Sequence, residues 1–66
     1  MRITVNGQQR ETSDELRLDE LVRQISDRST GIAVAVNSEV VPRGSWTGTA
    51  VQPGDRIDVV TAVQGG

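Results

Sequence analysis

The chain has 66 residues, 35% of them hydrophobic and 24% charged, which makes one small domain: too apolar for a disordered segment, too short for a large core. Cysteine, histidine and lysine are all missing, and all seven basic residues are arginine, so a disulfide, a thiolate or imidazole catalyst, a Schiff base and a phosphate-loop lysine are excluded. The net charge of -2 and the scatter of arginines from Arg2 to Arg56 argue against nucleic acid as a partner.

Met1, Ile3 and Val5 alternate with Arg2, Thr4 and Asn6, the period of a half-buried strand. Asn6-Gly7 follows, the pair that supplies positive φ at both positions of a tight hairpin turn. Gln8 to Thr12 is then the return strand, and its polar sequence marks it as an edge. Leu18, Leu21, Val22 and Ile25 share one face of a helix, with Asp19, Glu20, Arg23, Gln24 and Asp27 on the other. Asp19 and Arg23, and Arg23 and Asp27, are spaced to pair. Thr12-x-x-Glu15 has the form of a capping box. Leu16, however, falls off the apolar stripe, so the helix is expected to start near Leu18, with Ser13 to Arg17 as a connection. Ser29-Thr30-Gly31 is expected to end it, with Gly31 as the stop.

Ile32, Val34 and Val36 alternate with Ala33 and Ala35; both faces are apolar, as in an internal strand. Asn37-Ser38 is a turn and Glu39-Val40-Val41 another short strand, stopped or placed at an edge by Pro42. Arg43 to Ala50 reads as loop. It contains Trp46, the only aromatic residue, which either anchors a partner or, as favoured here, covers one end of a small core. Gln52-Pro53-Gly54-Asp55 is a tight turn, and Arg56 to Val63 is the final strand. Residues 1–66 thus form a single domain of the α+β class. We expect a β-grasp fold, in which a mixed five-stranded sheet holds one main helix on one face, with a flexible tail at 64–66.

No catalytic constellation emerges. Asp14-Glu15 and Asp19-Glu20 are sequence neighbours that point apart, and Ser26, Ser29, Ser38 and Ser45 lack a base to activate them. No clustered carboxylates suggest a metal site. The longest purely apolar run, Ile32 to Val36, cannot span a bilayer, and Met1-Arg2-Ile3 does not open an apolar signal stretch. A soluble cytoplasmic protein without a membrane role is expected.

The remaining reactive group is the carboxylate of the terminal Gly65-Gly66. Two residues without Cβ form a slim acyl group that can enter a narrow slot, although glycine-rich ends are also common where chains fray. A carboxylate is a poor electrophile. Transfer of AMP would turn it into a mixed anhydride open to a sulfur nucleophile. The chain has no means of binding ATP itself, so ATP and magnesium are expected at a partner enzyme, with no cofactor bound here. The strand before the tail adds a surface. Ile57, Val59, Thr61 and Val63 share the face expected to meet the helix, while Val60 and Ala62 lie on the helix-free face, near Ala33 and Ala35. An apolar patch beside a reactive tail suits docking of an enzyme.

The run Gly31-Ile32-Ala33-Val34-Ala35-Val36-Asn37, the segment Val41-Pro42-Arg43-x-x-Trp46, the turn Pro53-Gly54-Asp55 and the terminal Gly65-Gly66 together resemble the thiamine-biosynthesis sulfur carrier family, ThiS, of the ubiquitin-like β-grasp group. The likeness runs over the whole chain. It implies that Gly66 is the site of adenylation and thiocarboxylate formation, with Gln64 and Gly65 as the tail that enters the partner channel. It also implies three partners: an E1-like adenylyltransferase (ThiF-like), a cysteine desulfurase or other sulfur donor, and a thiazole synthase (ThiG-like). Gln64 departs from the family, many of whose members have alanine there. A molybdopterin synthase small-subunit-like carrier, a ubiquitin-like protein modifier and a plain interaction module remain open alternatives.

Overall fold

The computed structural model describes residues 1–26 and 31–61. Strand β1 (Arg2–Val5) and β2 (Gln8–Glu11) form the expected hairpin, with Ile3 opposite Arg10 and Val5 opposite Gln8. Asn6 and Gly7 take φ of 50° and 82°, the left-handed pair that matches the twist of the two strands. Helix α1 (Leu18–Ile25) follows, then β3 (Ile32–Val36), β4 (Glu39–Val41), a 3₁₀ turn (Arg43–Ser45) and β5 (Arg56–Thr61). Asn37 and Ser38 repeat the positive-φ pair, at 51° and 71°, between β3 and β4.

The strand order is β2-β1-β5-β3-β4. The last strand therefore lies in the middle. It runs parallel to β1, with Val5 opposite Ile57, and antiparallel to β3, with Val34 opposite Val59. The polar β2 is an edge, β3 is internal, and the short β4 is the other edge, as their sequences suggest.

The helix covers one face of this sheet. Leu18, Leu21 and Val22 point into a core shared with Ile3, Val5, Val34 and Ile57, all nearly or fully removed from solvent. The helix begins at Leu18 as expected. The Arg17 backbone N–H donates to the Glu20 carboxylate at 3.0 Å, so an acidic side chain in the first turn ties down the entry of the chain. Asp19 and Arg23 pair across one turn at 3.7 Å, while Asp27 lies outside the described residues.

Two expectations need correction. The helix ends at Ile25 rather than at Gly31: Ser26 is extended, with φ -139° and ψ 139°, and its N–H closes the last turn on the Val22 carbonyl at 2.9 Å. The apolar stripe stops at Ile25, so a further turn would bury nothing. The segment from Arg43 to Ala50 is not a plain loop. It winds through the 3₁₀ turn, with Ser45 N–H bonded to the Pro42 carbonyl at 2.8 Å, and brings Trp46 into the core. Trp46 Nε1 donates to the Val41 carbonyl at 2.9 Å, so the ring covers the end of the core with its one polar atom satisfied. The favoured role for Trp46 holds. The last strand is described to Thr61, and the expected Val63 end and the tail at 64–66 lie outside the described residues.

Leu21→Ala removes a fully buried side chain and should cost about 2–5 kcal/mol. Against a stability of roughly 3–5 kcal/mol for a core of this size, urea titration followed by Trp46 emission should show a largely unfolded variant. Gln24→Ala, on the outer face of α1, should stay within about 0.5 kcal/mol of wild type.

Candidate functional site

In β5 the side chains alternate. Ile57 is fully buried under the helix, Val59 packs against the same core, and Val60 between them and the tail is 60% exposed on the opposite face. The antiparallel register sets Val60 opposite Ala33 and Asp58 opposite Ala35. Directly paired residues share a face. Val60, Ala33 and Ala35 therefore lie together on the helix-free side, as the alternation of the sequence implies. Ala62, Gln64, Gly65 and Gly66 lie outside the described residues.

The register adds a residue that the sequence reading did not assign. Val40 of β4 sits opposite Ala35 and is 70% exposed. With Val60 it makes up the exposed large hydrophobic residues of the described chain. A signal for it was present. A two-residue turn at Asn37-Ser38 pairs Val36 with Glu39, and hence Ala35 with Val40. The small alanines of β3 thus form the floor between two exposed valines.

The rest of the open face is polar. Arg2 and Glu11 pair at 3.1 Å across β1 and β2, and Arg56 and Asp58 approach to 3.6 Å along β5. These exposed pairs contribute little to stability. They do partition the face: charge over β2, β1 and the start of β5, apolar surface over β4, β3 and the end of β5. The apolar part lies on the side from which the chain continues beyond Thr61.

The base of β5 is held firmly. Asp55 sits at the end of the Gln52–Asp55 turn, where its carboxylate accepts from Gln52 N–H at 2.8 Å and from the Asn37 side chain at 3.0 Å. Asn37 Oδ1 accepts in turn from Arg56 N–H at 3.0 Å. Gly54, with φ of 83°, donates to the Arg2 carbonyl at 2.8 Å, which lays this turn against β1. Further along, Asn6 Oδ1 accepts from Val59 N–H at 2.8 Å, taking over where β1 has turned away. Side-chain amides of the two positive-φ turns therefore fix both flanks of β5.

The carboxylate neighbours are separated. Asp14 is exposed and meets the Met1 amine at 2.9 Å, Glu20 caps the helix entry, and Asp19 pairs with Arg23. A groove of about 430 Å³ runs beside the helix entry, between Glu15, Arg17 and Glu20 on one side and Ala50 and Gln52 on the other. Among the described residues, no three potential metal ligands cluster, and no helix is long and apolar enough to cross a membrane.

This geometry, one helix held by a mixed sheet whose central strand leads to the C-terminus, is the β-grasp fold. A crystal structure of the thiamine biosynthesis protein (ThiS) from Geobacter metallireducens superimposes with a TM-score of 0.88 at 28% identity, covering 100% of both chains. The ThiS family model matches residues 3–66. The sulfur carrier protein ThiS of Escherichia coli K12 is 35% identical over 66 residues, 100% of each chain. A thiazole synthase of Paramagnetospirillum magneticum AMB-1 is 32% identical over the same 66 residues, of which this chain spans 20% of the length. The chain belongs to the ThiS family.

Val59→Ala and Val60→Asp separate the two faces of β5. The first should lower stability by about 1–2 kcal/mol through lost burial. The second should leave it within about 0.5 kcal/mol of wild type. Urea unfolding of both variants measures the difference.

Proposed function

We propose that this chain is a sulfur carrier for synthesis of the thiamine thiazole and that it acts as a co-substrate of its partners rather than as an enzyme. The observation that carries the reading is the match to a named sulfur carrier over the full length of both chains, reinforced by a family match that runs through Gly66. Gly66 is the reacting residue. Its carboxylate oxygen attacks the α-phosphorus of ATP at an E1-like adenylyltransferase, and pyrophosphate leaves. The enzyme supplies the nucleotide site and the magnesium that stabilise this transfer. The outer sulfur of a persulfide loaded by a cysteine desulfurase then attacks the acyl carbon and AMP departs. A second thiol of the donor cleaves the S–S bond of the resulting acyl disulfide, leaving a thiocarboxylate and a donor disulfide, whereas a sulfide donor gives the thiocarboxylate directly.

Thiazole synthase is the acceptor of that sulfur in this reading. The support is the Paramagnetospirillum protein, named a thiazole synthase, which contains a segment similar to this whole chain. Gln64 and Gly65 form the approach to the partner channel. Val60, Ala62, Ala33 and Ala35, extended by the exposed Val40, form the docking face. Contact there removes apolar surface from water, worth about 25 cal/mol per Å² before the costs of association. The mixed charge and the lack of a long apolar helix among the described residues favour a cytoplasmic site of action.

Intact mass spectrometry tests the reaction. Incubation with the adenylyltransferase, MgATP and a sulfur donor should raise the mass by the difference between sulfur and oxygen. Deleting Gly66, or adding an alanine after it, should abolish that gain while the urea midpoint stays unchanged. A normally thiolated extended chain would rule out Gly66 as the attachment point. Val60→Asp tests the docking face: at limiting enzyme its thiolation should slow several-fold although its fold is intact, and a wild-type rate would remove the face from the reading.

A further inference from the structure

The acyl adenylate in this reading is a strong electrophile, and amines are the commonest protein nucleophiles that consume such groups. The chain offers it no side-chain amine. All seven basic side chains are guanidinium, spread over the whole domain. Arg2, Arg23 and Arg56 make ion pairs with Glu11, Asp19 and Asp58, and Arg17 donates to the Thr47 carbonyl at 3.4 Å. Arg10 and Arg43 are exposed. Long-range charge at these surface positions could be supplied as well by lysine, since exposed pairs have little geometric demand. The difference is chemical. A lysine of unperturbed pKa near 10.4 is roughly one part in a thousand free amine at neutral pH. A guanidinium stays protonated throughout and has no free lone pair to attack with. The Met1 amine is engaged, donating to the Thr12 carbonyl and, at 2.9 Å, to the Asp14 carboxylate.

We infer that the lysine-free surface makes the chain an acyl donor with no side-chain amine to accept its own acyl group, so that the adenylated Gly66 survives until sulfur arrives. This rests on the carrier reading above and adds to it the selection against amines. The reaction avoided is defined. A lysine nitrogen of a second copy would attack the Gly66 carbonyl carbon. The C–N bond would form, the bond from carbon to the phosphate oxygen would break with its electron pair leaving on AMP, and the ammonium proton would go to solvent. The product is an isopeptide-linked dimer, a dead end for sulfur transfer.

The test uses the full chain and Arg10→Lys, Arg43→Lys and the double variant, each with the adenylyltransferase and MgATP and no sulfur donor. ATP–pyrophosphate exchange measures activation separately. Equal exchange is expected for all four. Wild type should stay monomeric, while the lysine variants should accumulate a covalent dimer, of twice the chain mass less one water, several-fold above wild type. Fragmentation should place the bond between Gly66 and the new lysine, and added sulfur donor should suppress it. Equal exchange with no excess dimer in the double variant would overturn the inference. Absence of exchange in every chain would overturn the carrier reading instead. The inference is then decided by C-terminal thioesters of the same chains, made by intein cleavage and incubated without enzyme: excess dimer in the lysine variants upholds it, and equal yields overturn it.

Discussion

A helix of eight residues can cover only one side of a sheet, and the rest of the structure follows from that constraint. Leu18, Leu21 and Val22 are spent on Ile3, Val34 and Ile57, each burial worth about 1.5–3 kcal/mol and opposed by the entropy of ordering the chain. No disulfide adds to this. The core is therefore completed by whatever the connections can bring. Leu16 before the helix, Trp46 after the 3₁₀ turn and Val51 beyond it are all buried. They arrive together because the backbone binds itself there: Leu18 N–H meets the Thr49 carbonyl at 2.9 Å and Val51 N–H meets the Leu16 carbonyl at 2.8 Å. Among the described residues, the second face of the sheet has no such cover.

That uncovered face is shaped by what the edges must avoid. Free strand edges invite pairing with other chains. Here one edge, β2, is polar along its length, and the other, β4, has three residues and is followed by Pro42. The exposed valines instead project from the face of the sheet, where contact is made by side chains and limited by their shape. In the function proposed above, the carrier meets an activating enzyme and an acceptor in turn and releases each. A small apolar patch of Val40 and Val60 over an alanine floor, bordered by self-compensated ion pairs, fits repeated and reversible contact better than a strand edge would.

The parts of this fold that were legible in the sequence are those set by neighbours along the chain. The period of two in β1, β3 and β5, the period of 3.6 in the helix and the Asn6-Gly7 turn all act within a few residues. Leu16 was not legible as core because its burial depends on the distant segment at Thr49 to Val51, which no periodicity reports. The helix end was overextended for a related reason. Gly31 does have positive φ, 73°, but Ser26 has already left the helix where the buried stripe ends. Val40 needed the register of the hairpin in addition to its own position. The role proposed for Gly66 has another source: it is what the family resemblance of the terminal Gly65-Gly66 implies, and it lies outside the described residues.

The parallel pairing of β1 with β5 joins the first described strand to the last. During synthesis the β1–β2 hairpin must wait for α1, β3 and β4 to be made before its inner neighbour exists, and closing so long a loop is entropically slow. Completion of the sheet is thus deferred until β5 has been translated. A ribosome that stops before Arg56 releases a chain without the centre of its sheet, fit for proteolysis rather than for docking. The topology makes the open face depend on β5: a partner that recognised the folded face would select molecules whose synthesis has passed that strand.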